Sequence, residues 1–524
     1  MYWVVMMIIS ELVKYVKWLY CQLLQRSFII RTSLIDAKKK NTQIGEEAQP
    51  ATPIPGPFSL PILGASWLYS WFGPYSHENY HVSNFDKFAK YGAVVREEVL
   101  WNYPLIHLFD ADDIEKILRY KSDYPYRPHN EADVYYRKYR SDLYANIGMV
   151  NENGPAWSHL RKHLSPPLTN RKTPYHYAAN MNQIAEDLVA VVHQQVALFG
   201  GVLTGISPLV YKASLEMMCN VALERRMGFL NPDQQQMSQD MIKIMNALKG
   251  YQTASSQAMY GLPLWKYLPV CLSGVFTKLV EYKDTLFYTI GGLVDESFAA
   301  SSMDEMSILG QLLKNKALPL QEIKVSCVDY ITAGVDTVGN SLIYAIWLIG
   351  NDPRVQAKLR AELSPYRFCT MSPECLQNLP YLRACIKESF RMFPTASQIA
   401  RLTEEKMEVS GGHVLPPHTV VLCHTHVASR QEQNFTRGNE FIPERWIAEE
   451  RDSSWNHRSG LVMPFGCGKR ICPGKRLAEQ EIYILAAKLF VNFQLTAIDP
   501  LQIEFNWLMS PMEPMRFKVD VIEQ

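Results

Sequence analysis

Paired cysteines, long apolar runs, internal repeats, low-complexity blocks and an excess of either charge are all missing from this sequence. Each absence removes a class of protein. Ten cysteines are scattered without a single CxxC pair, which sets aside zinc-ribbon and thioredoxin-like readings. At 524 residues a secreted disulfide framework is not expected, so most of them read as reduced, buried small hydrophobes. The 53 basic and 52 acidic residues leave a net charge of +1, which excludes a globally basic nucleic-acid binder. With 47% hydrophobic and 20% charged residues the composition is that of a globular protein, neither disordered nor collagen-like.

Acids are scarce at the start. Between Met1 and Gly45 only Glu11 and Asp36 stand against Lys14, Lys17, Arg26, Arg31, Lys38, Lys39 and Lys40. Polar residues from Ser10 to Gln25 interrupt the apolar ones at near-helical spacing, so no membrane-spanning run of about 18 residues forms. A basic, acid-poor, amphipathic start reads as an organelle transit peptide. The alternative is a marginal signal anchor with Lys38–Lys40 as its cytoplasmic stop. The expected organisation is a targeting or membrane-associating segment over 1–49, a Pro-rich connector over 50–64 and one large domain over 65–524. Pro50, Pro53, Pro55, Pro57 and Pro61 make that connector stiff and extended.

Within the body, Ala93–Val99 and Leu105–Phe109 read as a hairpin and Asp112–Tyr120 as an acid-capped helix. Helix-period patterns dominate from Pro155 to Asn351 and recur at Pro353–Leu363, Leu382–Met392 and Leu477–Phe490. Short strand-like runs occur at Glu408–Val409, Thr419–Cys423, Gln494–Ala497 and Arg516–Val521. The fold class is mainly α with a minor β region.

The run from Phe465 to Gly474 fits F-x-x-G-x-R-x-C-x-G and leads straight into a helical pattern. Gly468 and Gly474 let the backbone pass close to a flat ligand. Cys472 stands just before a helix N-terminus, where the dipole and free amides favour a thiolate, and Arg470 can pair with an anionic group. A thiolate held this way suits the proximal position on a haem iron. Cys467, at a variable position of the pattern, reads as an ordinary structural cysteine.

Other motifs accompany it. Ala333-Gly334-Val335-Asp336-Thr337 lies within a long apolar helix, roughly Pro319–Gly350. Gly334 would leave room for a ligand, and Thr337 could turn its hydroxyl from the helix ladder and open a kink. An acid beside an alcohol is a proton-delivery pair. Glu388 and Arg391 form E-x-x-R on one helix face, and Arg445 lies in Pro443-Glu444-Arg445-Trp446. A buried Glu between two Arg requires mutual pairing. Trp157 and Arg161 are one helical turn apart and can both reach a carboxylate.

Taken together these motifs resemble the cytochrome P-450 superfamily. The resemblance implies a helical haem-thiolate domain with small β-sheets, haem b held by Cys472, and a loop in which Phe465, Arg470 and Gly474 line the cofactor. It implies that Trp157, Arg161, Arg401 and Arg470 meet the haem propionates. Thr337 would hydrogen-bond the oxygen being activated and Asp336 would relay protons. Glu388, Arg391 and Arg445 would be a structural triad. Arg383 and Lys387, with Lys475 and Arg476, resemble the basic face by which the mitochondrial clan receives electrons, from NADPH through an adrenodoxin-type ferredoxin. Lys stands at 475 where Arg is usual.

Stretches such as Trp101–Pro104, Tyr136–Asn151, Arg225–Leu230 and Tyr260–Tyr267 resemble the insect ecdysteroid hydroxylases of that clan. This implies hydroxylation of a steroid, ecdysone at carbon 20. That group carries Glu before the threonine where this chain has Asp336. Ile331, Thr332, Ala333, Ala396, Ile399 and Met509 are then substrate-flanking candidates in an apolar pocket. A membrane-associated monomer of the mitochondrial inner membrane is expected, the endoplasmic reticulum membrane being the alternative. The competing functions are a mitochondrial-type monooxygenase for another steroid or xenobiotic, a haem-thiolate isomerase or dehydratase, and a non-catalytic haem-based carrier or sensor of hydrophobic ligands.

Overall fold

The apolar spacing along the body folds into long helices whose buried faces share one core. The computed structural model describes residues 53–231, 237–260, 264–267, 269–299 and 304–522. In chain order the helices that matter are α1 (Tyr80–Tyr91), α2 (Ala111–Leu118), α3 (Glu131–Tyr139), α4 (Gly154–Leu164), α5 (Thr173–Leu198), α6 (Ile206–Leu223), α7 (Gln239–Tyr260), α8 (Gly274–Ala299), α9 (Leu320–Gly350), α10 (Pro353–Leu363), α11 (Pro380–Met392) and α12 (Lys475–Asn492). The expected targeting segment lies outside the described residues.

Helix α9 is the axis. Its 31 residues are apolar on nearly every side, as a helix surrounded by others must be. It begins just after Pro319, in agreement with the expected span. It packs against α6, α8, α11 and α12, and its side chains belong to the main core cluster. Two glycines permit the close crossing with α6. A Cβ on Gly334 would lie 2.4 Å from Met218 Sδ, and one on Gly339 would lie 2.5 Å from Tyr211 Cδ1. The expectation that Gly334 leaves room for a ligand is therefore corrected: Met218 fills that space. The Thr337 hydroxyl donates back to the Ala333 carbonyl at 2.8 Å within a helix assigned without a break.

The β component among the described residues is a four-stranded sheet, a three-stranded sheet and two strand pairs. Strands β1 (Val94–Val99) and β2 (Tyr103–Leu108) form the expected hairpin. β2 runs parallel to β4 (Val420–Cys423), which pairs antiparallel with β3 (Ile399–Leu402). Asp110 caps α2, accepting from the amides of Asp112 and Asp113. Near the C-terminus β5 (Phe493–Ala497) pairs with β8 (Phe517–Val521), and β6 (Ile503–Asn506) folds onto β7 (Leu508–Pro511). β3, β6 and β7 were not legible in the sequence. They are four residues each, too short for an alternation to show.

The Pro-rich stretch is described from residue 53 and is no free connector. The Pro55 carbonyl accepts the Arg96 amide at 2.8 Å, and Ala65 donates to the Glu98 carbonyl at 2.5 Å, so the stretch docks along β1. Among the described residues no helix is long and apolar enough to cross a membrane.

Candidate functional site

The cysteine loop is shaped by its glycines. Gly466 and Gly468 have φ of 69° and 67°, a region open to glycine with little strain. They turn the chain so that the Cys472 amide donates to the Phe465 carbonyl at 2.9 Å. Gly474 has an ordinary φ of −79° and caps α12; a Cβ there would lie 3.9 Å from Cys472 Sγ. The amides of Gly474 and Lys475, the start of α12, hydrogen-bond the sulfur. Burial nevertheless pushes the thiol above its ordinary pKa, against the pull of those amides and of Arg161 and Arg127. The expected thiolate is thus not secured by the helix terminus alone; a coordinated metal ion would deprotonate the sulfur outright.

Cys472 is exposed, and so is Ala333 in the middle of α9. Asp336 and Thr337 follow Ala333 on the next turn. Burial raises the Asp336 carboxyl to about 6, with the Gln252 side chain on α7 drawing it the other way. A carboxyl in that range exchanges protons near neutrality.

Four guanidinium groups converge on the cysteine. Arg470 stacks on the buried Trp157 ring, 4.0 Å from its centroid, and donates to the carbonyls of Pro125 and Glu152. Arg161 donates to the Ile471 carbonyl at 2.7 Å. Arg401, in β3, donates only to the Ala400 carbonyl. The fourth is Arg127, which the sequence did not single out. Burial, then Arg127, Arg401 and Arg161, together hold the Arg470 pKa down to about 9. None of the four meets a carboxylate among the described residues. Buried cations need counter-charge, so the cluster calls for an anionic ligand. A haem supplies two propionates for the guanidinium groups and an iron for the sulfur; the donor set fits it. The only sequence signal for Arg127 was a basic residue held extended before Pro128.

The triad behaves differently. Glu388, Arg391 and Arg445 are almost wholly buried. Glu388 Oε1 and Oε2 accept from Arg391 at 2.8 and 2.9 Å, and Oε1 accepts from Arg445 at 2.9 Å. The Trp446 indole N–H donates to Oε2 at 2.8 Å and the Ile442 amide to Oε1 at 3.1 Å. The tryptophan thus adds a fourth donor group to the carboxylate. Burial opposes ionisation of Glu388, but its two arginines keep the carboxyl below the usual range. The remaining guanidinium N–H groups point at the carbonyls of Ser429, Gly438, Glu440, Thr436 and Arg437.

On the surface, Arg383 and Lys387 of α11 are exposed, as is Arg476; Lys475 is partly so. Burial and the neighbouring Arg383 and Lys475 lower the Lys387 pKa, so α11 and the start of α12 present one cationic face. Glu479, 3.8 Å from Lys475, dilutes it. The Lys387 ammonium lies 4.1 Å from the Trp446 ring centroid.

The substrate candidates separate. Ala333 and Ala396 are exposed, and Thr332 and Ile399 partly so. Ile331 and Met509 are fully buried, Ile331 in the main core and Met509 beside Tyr344 and Phe505.

A profile described as cytochrome P450 matches residues 54–520. Ecdysone 20-monooxygenase of Drosophila melanogaster is 34% identical over 479 residues, covering 89% of this chain and 88% of that protein. The mitochondrial cytochrome P450 302a1 of the same fly is 28% identical, with 86% and 90% covered. The mitochondrial 1,25-dihydroxyvitamin D(3) 24-hydroxylase of Mus musculus is 26% identical, with 87% and 86% covered.

Proposed function

The chain belongs to the cytochrome P450 family, and on that footing we propose that it is a ferredoxin-fed monooxygenase that hydroxylates ecdysone at carbon 20. Haem b, when bound, supplies the iron at which dioxygen is activated. Every other contribution comes from the chain. Cys472 would be the thiolate that holds the iron, with the Gly474 and Lys475 amides tempering the sulfur. Arg127, Arg161, Arg401 and Arg470, with Trp157 beneath Arg470, hold the propionates. Phe465, edge-on to Phe390 at 5.7 Å, walls the proximal side.

The observation that favours a monooxygenase over a carrier or an isomerase is the acid–alcohol pair beside the exposed Ala333. Asp336, raised to about 6, would hold and pass on a proton, and Thr337 would offer its hydroxyl, now donated to the Ala333 carbonyl, as a hydrogen-bond donor. A carrier has no use for proton delivery. Ala333 and Ala396 leave width for a rigid, apolar ring system. The choice of ecdysone is supported by the similarity to Ecdysone 20-monooxygenase along nearly the whole chain.

Two mitochondrial relatives and the basic face of Arg383, Lys387, Lys475 and Arg476 support electrons arriving from NADPH through an adrenodoxin-type ferredoxin. A monomer seated on the mitochondrial inner membrane is the accompanying reading, with 1–49 as targeting segment. Exposed Phe58, Ile62, Leu63, Trp71 and Phe72 offer an apolar membrane contact. The test is turnover of ecdysone by the loaded enzyme, driven in parallel by a mitochondrial ferredoxin system and by a microsomal reductase. Formation of 20-hydroxyecdysone with the ferredoxin alone is expected. No oxidation of ecdysone refutes the substrate; equal support from the microsomal reductase refutes the partner.

A further inference from the structure

Thr337 is anchored from behind. One turn on, Ser341 donates its hydroxyl to the Thr337 carbonyl at 2.7 Å. The same oxygen lies 2.9 Å from the Thr395 hydroxyl. The single Ser341 proton is committed to the carbonyl, so Thr395 is the donor in that pair. Thr395 stands between α11 and β3, directly before Ala396. Its carbonyl accepts the Met509 amide at 2.9 Å. The Met509 carbonyl accepts the Asn340 side-chain amide at 3.0 Å, which also donates to Ser510 Oγ at 3.1 Å. Asn340 precedes Ser341, so the ring closes: Ser341, Thr395, Met509, Asn340. Outside it, the Tyr211 hydroxyl on α6 donates to Asn340 Oδ1 at 2.5 Å, and the Tyr211 ring lies against Gly339.

All four members of the ring are buried. A buried polar ring is costly unless complete, and complete it fixes geometry more than it adds stability. It joins three segments distant in sequence: the α9 turn after Thr337, the segment before Ala396, and the C-terminal hairpin. Sliding or rotating α9 by one residue breaks three of its bonds at once. We propose that Ser341, Thr395 and Asn340 are positioning residues that set where the Thr337 hydroxyl stands relative to the segment beginning at Ala396. Their effect is on the coupling of electron flow to product and on the carbon attacked, and much less on substrate affinity. This rests on the reading of Thr337 as the distal alcohol.

The experiment compares Thr395→Val, which removes the hydroxyl at nearly constant volume, with Thr395→Ser, which keeps it. Ser341→Ala and the Ser341→Ala/Thr395→Val double variant complete a cycle. Each is read by product formed per NADPH consumed, by KM for the steroid, and by hydrogen exchange across residues 333–345 in cofactor-free and loaded protein. Thr395→Val is expected to lower coupling about three-fold or more, as small misplacements near reacting groups do. KM should change far less, and the α9 amides near Thr337 should exchange faster in both states. Thr395→Ser should restore both readouts, and the double variant should be no worse than the worse single. Unchanged coupling and exchange in Thr395→Val, or equal losses in Thr395→Val and Thr395→Ser, overturn the proposal. Thr337→Ala separates the two claims. If it leaves coupling intact, the acid–alcohol reading itself fails; if it uncouples while Thr395→Val does not, only the positioning role falls.

Discussion

Two groups of arginines, one fully buried and one partly buried, lie close to the cysteine loop and solve the same electrostatic problem in opposite ways. Arg391 and Arg445 share one carboxylate, Glu388, and spend their remaining N–H groups on backbone carbonyls. Arg127, Arg161, Arg401 and Arg470 share no carboxylate among the described residues, and the first three help to hold the Arg470 pKa down. The first group is finished by the chain itself; the second is finished only by a ligand. Completeness marks a group that builds the fold, and incompleteness marks one that waits for a partner. Glu481 in α12 is a third case. It is fully buried, neither carboxyl oxygen has a hydrogen-bond partner among the described residues, and burial raises it to about 8, which favours the neutral acid.

The contrast can be broken most sharply at Cys472. Cys472→Ser should abolish the absorption band of thiolate-ligated, carbon-monoxide-bound ferrous haem while leaving the helical circular dichroism in place. A retained band would remove the sulfur from the proximal position. Next in size is Glu388→Ala, which leaves two buried guanidinium groups without a counter-charge at a cost of about 3–5 kcal/mol. Loss of soluble protein with or without haem is expected; normal folding would show that the triad is not closed by that carboxylate.

Arg470→Met should separate stability from binding. The cofactor-free protein is expected to melt at a higher temperature because like-charge repulsion is relieved, while haem is lost about ten-fold faster for want of a propionate partner. A fall in both quantities would place Arg470 with the finished group. The smallest effect belongs to Glu481→Gln. Because the folded carboxyl titrates above its unfolded value, stability is full below the ordinary carboxylate range and declines as pH rises toward about 8. Glu481→Gln should therefore gain a few degrees in melting temperature at pH 8 and almost nothing at pH 5; a gain independent of pH would mean the wild-type carboxyl is not neutral.

Much of this was legible before folding because the informative residues are local. The Phe465–Gly474 loop, the Glu388–Arg391 spacing and the Asp336–Thr337 pair each lie within a turn or two. The boundaries of α9 followed from apolar spacing and Pro319, while α12 runs two residues beyond the expected Leu477–Phe490 at each end. What escaped was convergence. Arg127 lies more than three hundred residues from Arg470. Nothing in Thr395, Met509 and Asn340 foretells that they bond to one another. Gly334 was read as room for a ligand because the sequence does not reveal Met218 across the helix crossing.

The amino-acid sequence by itself determined the chemistry on offer: one thiol before a helix, one acid beside one alcohol, and a basic pair on each of two helices. Those features follow from covalent spacing and helical period, which fix neighbours within a few residues. Only the tertiary structure decided which charges are satisfied and which are left open. That outcome depends on which distant side chains share the same small volume, and shared volume is set by the packing of helices whose contacts no local spacing encodes.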